Sequence, residues 1–68
     1  MQKITLAEQW IISAHFLVDS LELPRKGWKQ GELARTCEGA RMFVRYAEPD
    51  AYTLGALLSR IDFVEARQ

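Results

Sequence analysis

The sequence has few of the residues that build covalent or metal sites: one cysteine, one histidine and two prolines among 68 residues. Cys37 is the single cysteine and cannot form a disulfide within the chain, which excludes a disulfide scaffold and suits a reducing compartment. No apolar run reaches the length of about 20 residues that a membrane span needs. The first residues also lack the basic start and apolar run of a secretory signal. We therefore predict a cytoplasmic protein with no membrane partner.

Groupings that support catalysis are missing too. His15 has Asp19 and Glu22 at helical spacing, but no second histidine or cysteine shares their strip, as a zinc site would require. Cys37 has no histidine at a useful sequence relation. The four glycines match neither nucleotide-binding spacing. We expect no enzyme activity, no cofactor and no metal.

Charge is absent in sum but sorted along the chain. Residues 1–24 carry one basic against three acidic residues, a net charge of −2. Residues 25–45 carry six basic against two acidic, or +4, and residues 46–68 carry two against four, or −2. A basic middle of this kind is either a footprint for phosphates or acidic protein surface, or an ordinary solvated face. A chain of this length has a thin core, and we predict a single domain over 1–68.

Two helices are predicted, one near each end. The first begins at the capping box Thr5-Leu6-Ala7-Glu8 and ends before Pro24. The second starts at Glu48-Pro49-Asp50. Its apolar positions recur at helical spacing through about residue 65: Leu54, Leu57, Leu58, Ile61 and Val64.

Each predicted helix also carries apolar residues away from its core face. These are Ile12 and Phe16 on the first helix and Tyr52 and Phe63 on the second. Such residues need a cover, which is either the rest of the domain or another molecule. We therefore predict them as interface residues, with a homodimer as one arrangement.

Residues 32–46 admit two interpretations. As a helix, one face would hold Leu33, Cys37, Ala40, Val44 and Ala47. As a hairpin turning at Glu38-Gly39, one face would hold Leu33, Cys37, Ala40, Met42, Val44 and Tyr46. The central glycine and the aromatic and branched residues of 42–46 favour strands, so we predict the hairpin. The fold expected is then α+β and winged-helix-like: helix, basic turn, β-hairpin and C-terminal helix. The alternative is an all-α three-helix bundle.

Several short motifs resemble the small winged-helix excisionases of phages, also called recombination directionality factors. These are Trp28 to Leu33, Gly39 to Val44, Pro49 to Tyr52 and Leu57 to Ile61, with Thr5 to Glu8 and Trp10 similar to the opening helix. The resemblance implies a wing at the glycine-arginine hairpin, binding and bending of attachment-site DNA, an integrase as partner, and transcriptional repression. Residues 21–27 depart from the family, because Pro24 and Gly27 break its recognition helix.

The leading functional hypothesis is therefore a non-enzymatic accessory or regulatory protein that binds duplex DNA. The expected DNA contacts are Arg25, Lys26, Lys29, Arg35, Arg41 and Arg45, the first three in a basic turn and Arg41 and Arg45 on a wing. The alternative is a small helical protein-interaction module, an inhibitor or adaptor, that uses Ile12, Phe16, Tyr52 and Phe63. This alternative gains weight if residues 32–46 are helical, because the wing then disappears.

Overall fold

Three helices make up the described part of the chain. The computed structural model describes residues 4–23, 28–29 and 31–67. Its elements are α1 (Leu6–Glu22), α2 (Glu32–Tyr46) and α3 (Ala51–Ala66), and no strand occurs within the described ranges. The predicted winged-helix-like α+β fold is therefore wrong, and the alternative three-helix bundle is confirmed.

The first helix begins and ends where the sequence indicates. The Thr5 hydroxyl oxygen accepts the backbone N–H of Glu8 at 3.1 Å, and the same hydroxyl donates to the Glu8 carboxylate at 3.0 Å. These bonds satisfy one of the amide groups that a helix N-terminus leaves without a partner. At the other end Leu23 is extended, with ψ of 141°, as expected for a residue that precedes proline.

The second helix occupies the segment predicted as a hairpin. Leu33, Cys37, Ala40 and Val44 are buried along one face of α2, which is the spacing of the helical interpretation. The hairpin required Met42 and Tyr46 on the same face, but these side chains are 63% and 70% exposed. Burial of one helical face has overridden the strand preference of residues 42–46, since β-propensity is weak and depends on context.

The third helix follows a four-residue connection, 47–50, that folds it back onto α2. Asp50 caps it: one carboxylate oxygen accepts the backbone N–H of Thr53 at 3.1 Å and the other accepts the Thr53 hydroxyl at 2.6 Å. Pro49 therefore lies before the cap, and α3 begins at Ala51, slightly later than the predicted start at Glu48-Pro49-Asp50. The predicted core positions of this helix are confirmed, with Leu57, Ile61 and Val64 buried.

Small and aliphatic side chains form the core, and no aromatic residue is fully buried in the described chain. Its members are Ala14, Val18, Leu21, Leu33, Cys37, Ala40, Val44, Ala47, Leu57, Ile61 and Val64. Aromatic rings lie at its margins instead. Trp10 on α1 contacts α2, with its ring centroid 5.7 Å from that of Phe43 and 5.4 Å from that of Tyr46. Trp28 is half-buried and packs against the core. No helix in the described ranges is long and apolar enough to cross a membrane.

Candidate functional site

One of the predicted DNA contacts, Arg41, is held inside the boundary between α2 and α3. Its guanidinium donates to Asp62 Oδ1 at 3.0 and 2.8 Å and to Glu65 Oε1 at 2.5 Å, with Glu38 further away at 3.5 Å. The Arg41 side chain is only 18% exposed. The hydrogen bonds that Arg41 donates to Glu65 and Asp62 raise the pKa of its guanidinium. The prediction that Arg41 and Arg45 project from a wing is wrong, because the segment is helical and Arg41 is bound to carboxylates of α3.

A second arginine, Arg60, joins α3 to α1 in the same manner. It donates to Asp19 at 2.6 Å and to both carboxylate oxygens of Glu22, one of them at 3.0 Å. The hydrogen bond from Arg60 lowers the pKa of Glu22. The sequence-based site did not include Arg60. The available signal was a basic residue in the middle of one predicted helix and two acidic residues, Asp19 and Glu22, on the other.

Three of the other predicted DNA contacts lie within the described residues, and all three are exposed. Arg35 and Arg45 are exposed on the outer side of α2, without an ion pair to any described carboxylate. They are ten residues apart, about 15 Å along a helix. Lys29 is exposed, and Arg25 and Lys26 lie outside the described residues. The structure therefore leaves Lys29, Arg35 and Arg45 as accessible cations.

All four predicted interface residues are exposed. On α1, Ile12 and Phe16 are 41% and 69% exposed. With Leu23, which follows the helix and is also exposed, they form what we call the α1 ridge, on the side opposite the buried Ala14 and Val18. Polar side chains, Asp19 among them, lie along the same side of α1.

On α3, one outward face consists of uncharged and largely apolar side chains. Tyr52, Ala56, Ser59, Phe63 and Ala66 recur at alternating spacings of four and three residues, so they share one face. All five are exposed, Tyr52 at 86% and Phe63 at 64%. We call these five residues the α3 stripe, and it lies opposite the buried side of the helix.

Ion pairs direct three charged side chains of α3 away from the stripe. Asp62 and Glu65 lie on one side of α3 and are bound by Arg41 of α2. Arg60 lies on the other side and is bound to acids of α1. Arg67, which follows the helix, is different, because its guanidinium lies over the ring of Phe63 at the end of the stripe.

Among the described residues, the other features include neither an activated cysteine nor a metal-binding cluster. An open depression of about 240 Å³ on α1 is lined by Leu6, Gln9, Trp10 and Ser13. Cys37 is buried, and its desolvation raises the pKa of its thiol, whereas a nucleophilic cysteine needs a lowered one. Within the described ranges, no group of three or more histidine, cysteine or acidic side chains is placed to hold a metal ion.

No protein family, no curated protein and no solved structure matches the chain. The resemblance to excisionases thus rests on the short motifs alone, and the wing that it implied is part of α2.

Proposed function

We propose that the chain is a non-enzymatic protein-interaction module that binds through the exposed apolar surfaces of α1 and α3. The observation that carries this proposal is the distribution of large apolar side chains. Ten of them are exposed in the described ranges, including Phe16, Tyr52 and Phe63, while the core is built partly of alanine. Burying such residues would have stabilised the domain. Their position outside is the pattern of a surface that another molecule covers.

The proposal also fits the way in which the helices are held together. Ion pairs of Arg41 join α3 to α2, and ion pairs of Arg60 join α3 to α1. Ring contacts of Trp10 with Phe43 and Tyr46 join α1 to α2. None of these contacts uses the α1 ridge or the α3 stripe. We further propose a cytoplasmic location, because a buried, unpaired Cys37 suits a reducing compartment.

The first test asks whether the outer residues are dispensable for folding. We expect Phe16→Ser and Phe63→Ser to keep the helical circular dichroism and to change the free energy of unfolding by less than about 1 kcal/mol, since exposed substitutions have small effects. The matched control is Leu57→Ser, which removes a fully buried side chain and should unfold the chain. Loss of folding in the two phenylalanine variants would show that these residues are core and would end the proposal.

The second test asks whether the surfaces bind. A photoreactive phenylalanine analogue at position 16 or 63 should give a discrete cross-linked product with another polypeptide in living cells. The same analogue in place of Arg35, on the outer side of α2, should give none. Absence of a product from both apolar positions, with folded protein present, would contradict binding through these surfaces.

Duplex DNA is a second candidate partner, favoured by Arg35 and Arg45, which are exposed and form no ion pair with a described carboxylate. Binding to a mixed-sequence duplex at low salt should weaken steeply as salt rises, because phosphate contacts release counterions. Substituting both arginines with alanine should flatten that dependence. Arg41→Ala cannot serve in this test, because the residue supports the fold. No mobility shift of any duplex at low salt would exclude this candidate.

A further inference from the structure

We propose that the α3 stripe is a self-association surface, on which the α3 stripe of a second copy lies in the opposite direction about a two-fold axis near Ser59. This inference rests on the proposed function and assigns one partner to one of its two surfaces. It follows from three properties of α3, namely the order of large and small residues, the charge at its two ends, and a glycine beside the stripe.

The first property is that each large residue on one side of Ser59 has a small residue at the same distance on the other side. Tyr52 lies seven residues before Ser59 and Ala66 seven after it, so both are about 10 Å from it along the axis. Phe63 lies four residues after Ser59 and Gly55 four before, at about 6 Å. In an antiparallel pair each aromatic ring therefore meets a small residue of the second copy. In a parallel pair Tyr52 would meet Tyr52 and Phe63 would meet Phe63, which would hold the helices apart.

The second property is charge complementarity between the ends of α3. Glu48 and Asp50 are exposed just before the helix begins, and Arg67 follows its end. The Arg67 guanidinium lies 5.4 Å from the centroid of the Phe63 ring, which places it at the edge of the stripe. An antiparallel pair brings Arg67 to the level of Asp50 of the second copy, and it does so twice. A parallel pair would bring like charges together.

The third property is Gly55, an exposed glycine inside α3. Glycine is the least favourable helix residue after proline, and a Cβ added at Gly55 meets nothing within 4 Å, as is also true of Gly39 in α2. The packing of a single chain therefore requires neither glycine. Gly55 differs from Gly39 in lying beside the α3 stripe, where the missing side chain leaves room for Phe63 of a second copy.

The other helices are less suited to this contact. The outer side of α2 carries Arg35, Glu38 and Arg45, all exposed, and these charges would lose water on docking. The α1 ridge has Asp19 along its side. Of the three outward surfaces, the α3 stripe is the one with no charged member.

The oligomeric state is the first test, measured by sedimentation velocity on the full chain over a range of concentrations. We expect a monomer–dimer equilibrium. Gly55→Glu should raise the dimer dissociation constant by on the order of 100-fold, because it places an unpaired charge in the contact. Gly39→Glu is the matched control: it makes the same exchange at an exposed mid-helix glycine of α2 with equally open surroundings, and it should leave the dissociation constant unchanged.

Cysteine cross-linking tests the direction of the pair, in a Cys37→Ala background that carries no other thiol. Ser59→Cys should form a disulfide-linked dimer on mild oxidation. Tyr52→Cys and Ala66→Cys should each cross-link poorly alone and efficiently when the two are mixed. Efficient cross-linking of Tyr52→Cys with itself would overturn the antiparallel arrangement.

The outcomes separate this inference from the proposed function. A monomer at all concentrations overturns self-association, and a photoproduct at position 63 with a different protein would then keep the proposed function. A dimer lost in Phe16→Ser and kept in Gly55→Glu would transfer self-association to α1 and refute the assignment to α3. If no surface residue yields any product and the chain is monomeric, both proposals fail.

Discussion

The exchange of glycine for alanine should have opposite effects at two positions of α2. Gly39 lies inside the helix, where an added methyl group meets nothing within 4 Å. Gly31 is the N-cap and has φ of 77°, in the left-handed region that L-residues avoid. We therefore expect Gly39→Ala to stabilise the chain and Gly31→Ala to destabilise it, although the chemical change is the same.

The magnitudes follow from helix propensity and backbone geometry. Alanine is more favourable than glycine by about 0.8–1.0 kcal/mol inside a helix, while the left-handed conformation costs a non-glycine residue roughly 1–2 kcal/mol. With an unfolding entropy of roughly 2.1 cal/mol/K per residue, a chain of 68 residues changes its Tm by about 7 °C for each kcal/mol. Gly39→Ala should thus raise Tm by about 6 °C, and Gly31→Ala should lower it by about 7–14 °C.

Thermal unfolding followed by far-ultraviolet circular dichroism at low protein concentration measures both shifts. Urea unfolding provides an independent value, and equal m-values would show that the denatured state is unchanged. A lower Tm for Gly39→Ala would mean that the position is crowded or not helical, and it would refute the helical assignment of α2. An unchanged Tm for Gly31→Ala would refute its left-handed conformation.

Three further predictions concern the core and its boundaries. Leu57→Ala should lower the free energy of unfolding by about 2–5 kcal/mol. The chain should then be largely unfolded at room temperature, because a core of this size rarely supplies more than about 3–5 kcal/mol. A cooperative thermal transition with an unchanged midpoint would contradict the burial of Leu57. Arg60 lowers the pKa of Glu22 below its usual value of 4.5, so the contribution of this pair is present above that pH and is lost as the pH falls towards the lowered pKa. Glu22→Gln should therefore reduce the loss of stability on acidification, measured by urea unfolding at a series of pH values. Cys37 should react with a thiol reagent far more slowly in the native chain than in urea, since it is buried and its pKa is raised; equal rates in both would contradict its burial.

The ends of the fold were predictable because local signals and burial agree there. The Thr5 capping box, the stop before Pro24 and the spacing of Leu57, Ile61 and Val64 each have a local cause that tertiary contacts reinforce. In residues 32–46 they conflict. Gly39 and the run from Met42 to Tyr46 favour a hairpin locally, whereas the spacing of the buried residues favours a helix. Tertiary burial decided the conflict, and no local rule states its strength.

In the candidate site, the exposure of the four apolar residues was predictable, whereas the position of Arg41 was not. Ile12, Phe16, Tyr52 and Phe63 could be recognised because helical periodicity separates them from the core face. The ion pairs of Arg41 could not be predicted from periodicity. Its carboxylate partners are 21 and 24 residues away, and only the packing of α2 on α3 brings them together. The charge of a segment therefore says little about which of its cations remain accessible.

The bundle is held by two unlike kinds of contact, with consequences for the order in which it loosens. The Arg41 and Arg60 ion pairs of α3 weaken with salt and acid, whereas the contact of Trp10 with Phe43 and Tyr46 depends on neither. A mild rise in ionic strength would thus increase opening at the margins of α3 before it affects the α1–α2 pair. The helix α3, which has the most apolar outer surface, is therefore also the helix whose contacts with the rest of the bundle weaken as salt rises. Amide hydrogen exchange would detect this as lower protection in α3 than in α1 and α2.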